Sequence, residues 1–225
     1  CFPRKGVDVL LEAFGRAFTG ADRVSLIIKT FPNIHNAIEI QLADFRKRFP
    51  DAAPVILINK DISEGELADI YKRCDALVAP SRGEGFGLPL AEAMLFEKPV
   101  ITTAYGGQMD FCSTENAWLV DYQFAYAQTH MEQFNSVWAE PDLDDLTRIL
   151  REVHTASDEE RLRRAQAGKQ ALLANWRWAH VAERNLLAIA ALDAGPALLD
   201  LPHVGWVTTW NVRCGIAAYA RALSV

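Results

Sequence analysis

Two carboxylates, Glu84 and Glu92, bracket a glycine-rich run in the segment Ser81-Arg82-Gly83-Glu84-Gly85-Phe86-Gly87-Leu88-Pro89-Leu90-Ala91-Glu92. Carboxylates accept paired hydrogen bonds from vicinal hydroxyls and repel phosphate. Between them, Gly83, Gly85 and Gly87 allow close backbone approach and positive φ. Unpaired N–H groups around Gly87 and Leu88, at the start of a helix, would cradle an anion with help from the helix dipole. Near the amino end, Arg4-Lys5-Gly6 offers two cations to a diphosphate. Hydroxyl acceptors at two ends with an anion cradle between them suit a nucleotide sugar. Each part alone has a plain structural reading: glycine turns are common, and a single Glu92 on a helix is usually solvated.

The elements that must carry these residues alternate between strand and helix periods, which predicts a parallel α/β sheet flanked by helices, Rossmann-like. Helical spacing covers Val7 to Phe18 and Ile38 to Phe49, and Ser63-Glu64-Gly65-Glu66 is a capping box for a helix ending near Arg73. Strands are predicted at Val24 to Ile28, Val55 to Ile58, Ala76 to Ala79, Val100 to Thr103 and Ala117 to Val120. A helix should begin near Pro89, where proline suits a first turn. In an open parallel sheet, ligands lie at the carboxyl ends of strands, so the Ser81–Glu92 loop faces a cleft. From Asp121 to Pro141 the pattern dissolves into an aromatic, polar insertion. With Tyr122, Phe124, Tyr126, Phe134 and Trp138 it either lines a sugar site or closes a flap over the core. Leu143 to Val153, Ser157 to Ala174 and Trp178 to Leu192 read as three helices.

Pro80-Ser81 to Glu92, with Ala93-Met94 and Lys98-Pro99-Val100-Ile101, resembles the Glu-x7-Glu signature of family 4 (group 1) glycosyltransferases. Arg4-Lys5-Gly6-Val7-Asp8 is similar to the Lys-Gly turn before the first helix of their C-terminal domain, and Tyr71, Asp75 and Ala76 match the lead-in to the motif strand. The resemblance covers about residues 1–192. It implies the C-terminal, donor-binding half of a GT-B fold, whose partner is an N-terminal GT-B domain across a cleft. It implies that Glu84 lies at the transferred sugar as the catalytic residue, that the backbone of Gly85, Phe86 and Gly87 touches its hydroxyls, and that Glu92 holds the ribose. Lys5 would neutralise the diphosphate, with Arg4 beside it. The implied reaction is retaining transfer of a hexose from a nucleotide-diphosphate sugar to a glycan or lipid-linked glycan acceptor, with no cofactor and no metal. Likeness of Phe2-Pro3-Arg4-Lys5-Gly6 and of Trp210-Asn211-Val212-Arg213-Cys214-Gly215-Ile216 to mannosyltransferases makes GDP-mannose the expected donor. A GT-B nucleotide-sugar epimerase and a non-catalytic carbohydrate-binding module are the alternatives.

Other candidates have simpler explanations. Asp142-Leu143-Asp144-Asp145 mimics a metal-binding Asp-x-Asp but opens a helix, where acidic residues favour the dipole. His35, His130, His154, His180 and His203 lack ligand spacing, and Trp176 and Trp178 are expected to pack. With 23 Lys and Arg against 29 Asp and Glu, the formal charge of -6 argues against nucleic-acid binding. Cys1, Cys74, Cys112 and Cys214 form no paired pattern, so they read as reduced thiols of a cytoplasmic protein. No apolar run approaches a membrane span of ~20 residues; peripheral placement at the inner face of a membrane would come from other parts of a parent protein.

The domain reading is a nucleotide-sugar domain at 1–193, a linker at 194–203 and, from Val204 to Val225, the start of a following glycosyltransferase N-domain as a β-turn-α tail. On this reading the chain is a fragment cut at both ends, and alone it binds nucleotide weakly and transfers nothing. A strand expected ahead of Cys1 would then be absent, leaving an open sheet edge or a central slot that Val204 to Thr208 would be able to enter.

Overall fold

A computed structural model describes residues 3–128 and 135–193. A 3-10 turn at Pro3–Lys5 leads into α1 (Val7–Ala17), followed by β1 (Leu26–Thr30), α2 (Ile38–Arg48), β2 (Val55–Asn59), α3 (Glu64–Arg73) and β3 (Leu77–Ala79). Then come α4 (Leu88–Leu95), β4 (Val100–Thr103), a 3-10 turn at Gly107–Asp110, β5 (Trp118–Val120), β6 (Tyr122–Tyr126), β7 (Val137–Pro141), α5 (Leu143–Thr155), α6 (Asp158–Asn175) and α7 (Trp178–Asp193). The residues form two compact units, one running to Trp178 and one starting at Ala179. All of α7 but its first residue belongs to the second. The proposed linker and tail, with Cys1, Phe2, His130 and Phe134, lie outside the described residues.

β1 to β5 are parallel, in two ladders: β1 with β2, in register Leu26 to Val55 through Thr30 to Asn59, and β3-β4-β5, with Leu77 opposite Val100 and Ile101 opposite Trp118. Side chains alternate across this sheet with period two. Val78, Ile101, Trp118 and Val120 join α1, α2 and α5 in one apolar core around Phe14, Phe45, Leu146 and Ile149. Leu77, Ala79, Val100 and Leu119 join Tyr71 of α3, Leu90 and Met94 of α4 and Leu172 of α6 in the other. Helices on both faces explain why these strands are continuous apolar runs rather than alternating ones.

Local signals behave as their chemistry requires. Ser63 caps α3 by accepting from the Glu66 amide at 3.2 Å, while the Glu66 carboxylate accepts from the Ser63 amide at 2.8 Å. Asp142 caps α5 through the Asp145 amide at 2.8 Å, so the acidic run serves the helix end. The first strand starts at Leu26 rather than Val24. Asp22 accepts from the Thr19 amide, and Val24 donates to the Asp22 carbonyl, holding Val24 in a turn. The segment from Asp121 to Pro141 is not pattern-free: β6 and β7 form an antiparallel hairpin, with Tyr122 opposite Pro141 and Tyr126 opposite Val137. Tyr122, Phe124 and Tyr126 carry the period-two signal. Among the described residues, Cys74 and Cys112 are free thiols, and burial pushes the Cys112 thiol up to about 12. No described helix is long and apolar enough to cross a membrane.

Candidate functional site

The loop from Pro80 to Gly87 leaves the carboxyl end of β3 and enters α4. Gly87, the N-cap of α4, has φ 90 and ψ 47, a left-handed conformation glycine adopts without strain. A Cβ there would stand 3.1 Å from both Gln108 Cβ and Leu90 Cδ1. The helix starts at Leu88, one residue before its proline. The Gly87 carbonyl takes the amides of Leu90 and Ala91, and among the described residues no acceptor faces the amides of Gly87 and Leu88. These two N–H groups therefore stand at the positive end of the helix, available to an anion.

Phe86 turns its ring inward against Phe111, at 5.0 Å between centroids, and Trp176, at 5.4 Å. Packing is thus the role of Trp176, whereas Trp178, expected to pack as well, is 85% exposed; the anchored Phe86 ring holds the loop backbone in place. Behind the loop, the Gly107 amide donates to the Glu84 carbonyl at 2.9 Å, while buried Gln108 donates to the Thr103 and Tyr105 carbonyls. Local pattern alone does not place this brace, although the Gly106-Gly107 pair is its sequence signal.

Across the loop lies the turn before α1. Gly6, at φ 65, is its N-cap, and a Cβ on it would fall 2.0 Å from the Pro80 carbonyl oxygen. That approach, together with the Arg82 amide donating to the Arg4 carbonyl at 2.7 Å, sets Lys5 beside Glu84. The Lys5 ammonium donates to Glu84 Oε1 at 2.5 Å, Ser81 Oγ donates to the same oxygen at 2.8 Å, and Arg4 reaches Oε2 at 3.4 Å. Burial pushes the Glu84 carboxyl up, but the hydrogen bond and charge of Lys5, then Ser81 and Arg4, outweigh it and hold Glu84 below the usual carboxylate range. Glu92, on α4, accepts from the Tyr71 phenol at 2.9 Å. Burial, reinforced by the Glu92 charge, pushes the Tyr71 phenol well above its ordinary value, so it remains a neutral donor.

Beneath the loop, Arg82 is 5% exposed and forms a double bridge. Its guanidinium donates to both oxygens of Asp8, at 2.8 and 2.7 Å, and to both of Glu140, at 2.7 and 2.6 Å, and lies 4.6 Å over the Trp138 ring. One side chain therefore joins the motif loop to α1 and β7. Arg82 stood inside the motif string, but its partners are distant in sequence and carry no local signal.

Lys5, Glu84, Gly87 and Glu92 all border one hollow of about 1340 Å³, whereas Arg4, Gly85, Phe86 and Leu88 do not line it. Among the described residues no group of three potential ligands is placed to hold a metal ion. The hollow thus presents two carboxylates, an ammonium and a helix amino terminus. That combination offers hydroxyl acceptors around an anion cradle.

Comparison with known proteins places this architecture. An uncharacterized glycosyltransferase of Methanocaldococcus jannaschii is 34% identical over 110 residues, covering 47% of this chain and 27% of the relative. The serotype-specific mannosyltransferase WbdA of Escherichia coli is 35% identical over 101 residues, 44% of this chain and 12% of WbdA. The matches thus span little more than a quarter of these relatives at most. Among solved structures, the C-terminal domain of the group 1 glycosyl transferase LpcC from Francisella tularensis superposes with a TM-score of 0.61 at 20% identity, covering 79% of this chain and 83% of that one. HepE of Anabaena, in complex with UDP and glucose, gives 0.62 at 18% identity, over 86% and 46%. The fold is that of the C-terminal domain of GT-B glycosyltransferases. The sequence profile of the glycosyl transferases group 1 matches residues 2–131, and this chain belongs to that family.

Proposed function

We propose that this chain is the donor-binding half of a retaining hexosyltransferase that takes GDP-mannose. The observation that carries the reading is that Glu84 and Glu92 border the same hollow as Lys5 and the amino terminus of α4. In the proposed complex the diphosphate lies at the Gly87 and Leu88 amides, with Lys5 as its cation and Arg4 beside it. Glu92, oriented by Tyr71, accepts from the ribose hydroxyls, and Glu84 with the Gly85–Gly87 backbone meets the hexose. The acceptor is a glycan or lipid-linked glycan, presented by an N-terminal GT-B domain. Similarity to the mannosyltransferase WbdA supports mannose, and the complex of the like-folded HepE with UDP and glucose agrees with a nucleotide-sugar ligand.

Cleavage of the anomeric bond leaves positive charge on the sugar ring and negative charge on the departing diphosphate. Donors aimed at the diphosphate stabilise that transition state more than the ground state. In the resting site Lys5 is held by Glu84. Arrival of the diphosphate would move the ammonium toward phosphate and leave Glu84 facing the ring as an electrostatic stabiliser of the oxocarbenium side. No metal or cofactor enters this scheme.

Calorimetric titration with GDP-mannose, UDP-glucose and free mannose tests the proposal. It requires GDP-mannose to bind more tightly than UDP-glucose, and Glu92→Ala to weaken that binding at least tenfold, the loss of about 1.4 kcal/mol expected for a hydrogen bond to a charged group. Binding of free mannose with no response to either nucleotide sugar would rule it out.

A further inference from the structure

The donor site leaves one face of the β6–β7 hairpin unused. The other face is fixed: the Trp138 ring lies against the Arg82 guanidinium, and Glu140 pairs with the same group. Residues two apart on a strand share a face, so Tyr122, Phe124 and Tyr126 stand together on the opposite side, with Val137 paired to Tyr126. Phe124 is 61% and Tyr126 74% exposed. A flap closed over the core would bury them, so the hairpin is not such a flap. A contiguous exposed aromatic strip marks a binding surface. Tyr105, from the turn after β4, completes it. The rings of Tyr105, Tyr122 and Phe124 meet pairwise at centroid distances of 5.2, 5.3 and 5.4 Å, tilted or edge to face.

We infer that this strip binds an uncharged glycan chain, whose pyranose units lay their C–H faces on the aromatic rings, and that it holds the part of the acceptor remote from the reacting hydroxyl. Three observations choose this occupant. First, the described hairpin residues between Asp121 and Glu140, 122–128 and 135–139, include no charged side chain, so the strip offers no ionic partner to a phosphate or a charged peptide. Second, three of the four rings are phenols, apolar in body and polar at the tip, as a pyranose is apolar on its C–H face and hydroxylated at its rim. Third, β4 and β5 end at Thr103 and Val120, so Tyr105 and Tyr122 lie beyond the carboxyl ends of the sheet, as the donor loop does. Tyr105 adjoins Gly106, where a Cβ would stand 3.2 Å from the Glu84 carbonyl oxygen, and the Gly107 amide donates to that oxygen at 2.9 Å. The strip is thus continuous with the loop that carries Glu84.

Phe124 and Tyr126 are about 7 Å apart along the strand, so the strip is elongated and takes several sugar units rather than one hexose. Its packed rings are ordered before any ligand arrives, which lowers the entropy cost of binding. That the bound chain is the acceptor rests on the transferase reading above; that an uncharged glycan binds here does not.

The test titrates the 225-residue chain with mannotetraose and, separately, maltotetraose, and follows the aromatic ring resonances by NMR. At least one of the two should shift Tyr105, Phe124 and Tyr126, and Tyr126→Ala should weaken that binding at least about fivefold, as truncating an aromatic anchor does. No ring shift with either sugar at about 10 mM, tenfold above a weak Kd of about 1 mM, would overturn the inference. So would sugar-induced shifts confined to Gly87 and Leu88, which would place the chain in the hollow instead. Ring resonances that move with protein concentration in the absence of sugar would also overturn it, because a second copy of the chain would then be the occupant. The titration contains no nucleotide, so its failure leaves the donor reading untouched, and a failure to bind GDP leaves the strip untouched.

Discussion

The ammonium of Lys5 and the carboxylate of Glu84 meet at 2.5 Å, although 79 positions separate them in the chain. The pair exists because Gly6 lets the turn before α1 approach Pro80 more closely than any side chain would allow. In the proposed donor complex it would make Lys5 a shared cation, bound to carboxylate at rest and passed to phosphate when the donor arrives.

Replacing Lys5 by Met should therefore have two linked effects. GDP affinity should fall about tenfold or more, as a charge-assisted hydrogen bond is lost, and Glu84 should titrate at higher pH. The wild-type Glu84 lies below its ordinary value. Its pairing thus stabilises the fold above the unfolded-state value, and that contribution is lost as pH falls through the folded one. Carboxyl-detected NMR titration of Glu84 in both proteins checks the shift, and an unmoved Glu84 would count against the pairing.

Gly6→Ala should destabilise the protein by about 3 kcal/mol or more, because a left-handed φ of 65 and a Cβ placed 2.0 Å from the Pro80 carbonyl act together. Urea denaturation gives the number. A loss below about 0.5 kcal/mol, the range of ordinary surface changes, would mean that the turn does not press on Pro80.

Arg82→Met should cost about 2 kcal/mol. Removing one partner of a fully buried pair costs roughly 3–5 kcal/mol, but Asp8 and Glu140 are 48% and 33% exposed and recover part of their hydration. Because Arg82 joins the loop to α1 and β7, GDP affinity should weaken as well. A double-mutant cycle with Glu140→Gln should give non-additive losses, and simple additivity would remove the bridge from the account.

At the amino end of α6, Glu160 accepts from Arg163 and Arg164, whose hydrogen bonds lower its carboxyl from 4.5 to about 2. A depressed carboxylate stabilises the fold above its unfolded-state value and ceases to as pH falls through the folded one. The stability difference between wild type and Glu160→Gln should therefore be full at pH 6, shrink between about 4.5 and 2, and vanish below. Thermal melts across that range follow it, and a difference constant with pH would contradict it.

Much of this architecture is legible in the sequence because its causes are local. The Ser63 capping box, the Asp142 cap and the apolar strand runs each depend on neighbours within a few residues. The hairpin of β6 and β7 is harder to see, since Tyr122, Phe124 and Tyr126 alternate within a composition that also suits a loop. β1 starts at Leu26 rather than at Val24 because Asp22 draws Val24 into a turn. Within the site, the glycines and both glutamates stand out by spacing. The partners of Arg82, the brace of Gly107 and Gln108 and the Tyr71–Glu92 hydrogen bond arise only when distant elements meet, and no local pattern announces them.

The central claim is that the amino terminus of α4 grips a diphosphate. Amide NMR of the 225-residue chain, titrated with GDP, reads this directly. The largest shifts should fall on Gly87 and Leu88, with smaller ones at Lys5 and Tyr71. Shifts confined to the β6–β7 hairpin, or none at saturating GDP, would contradict it.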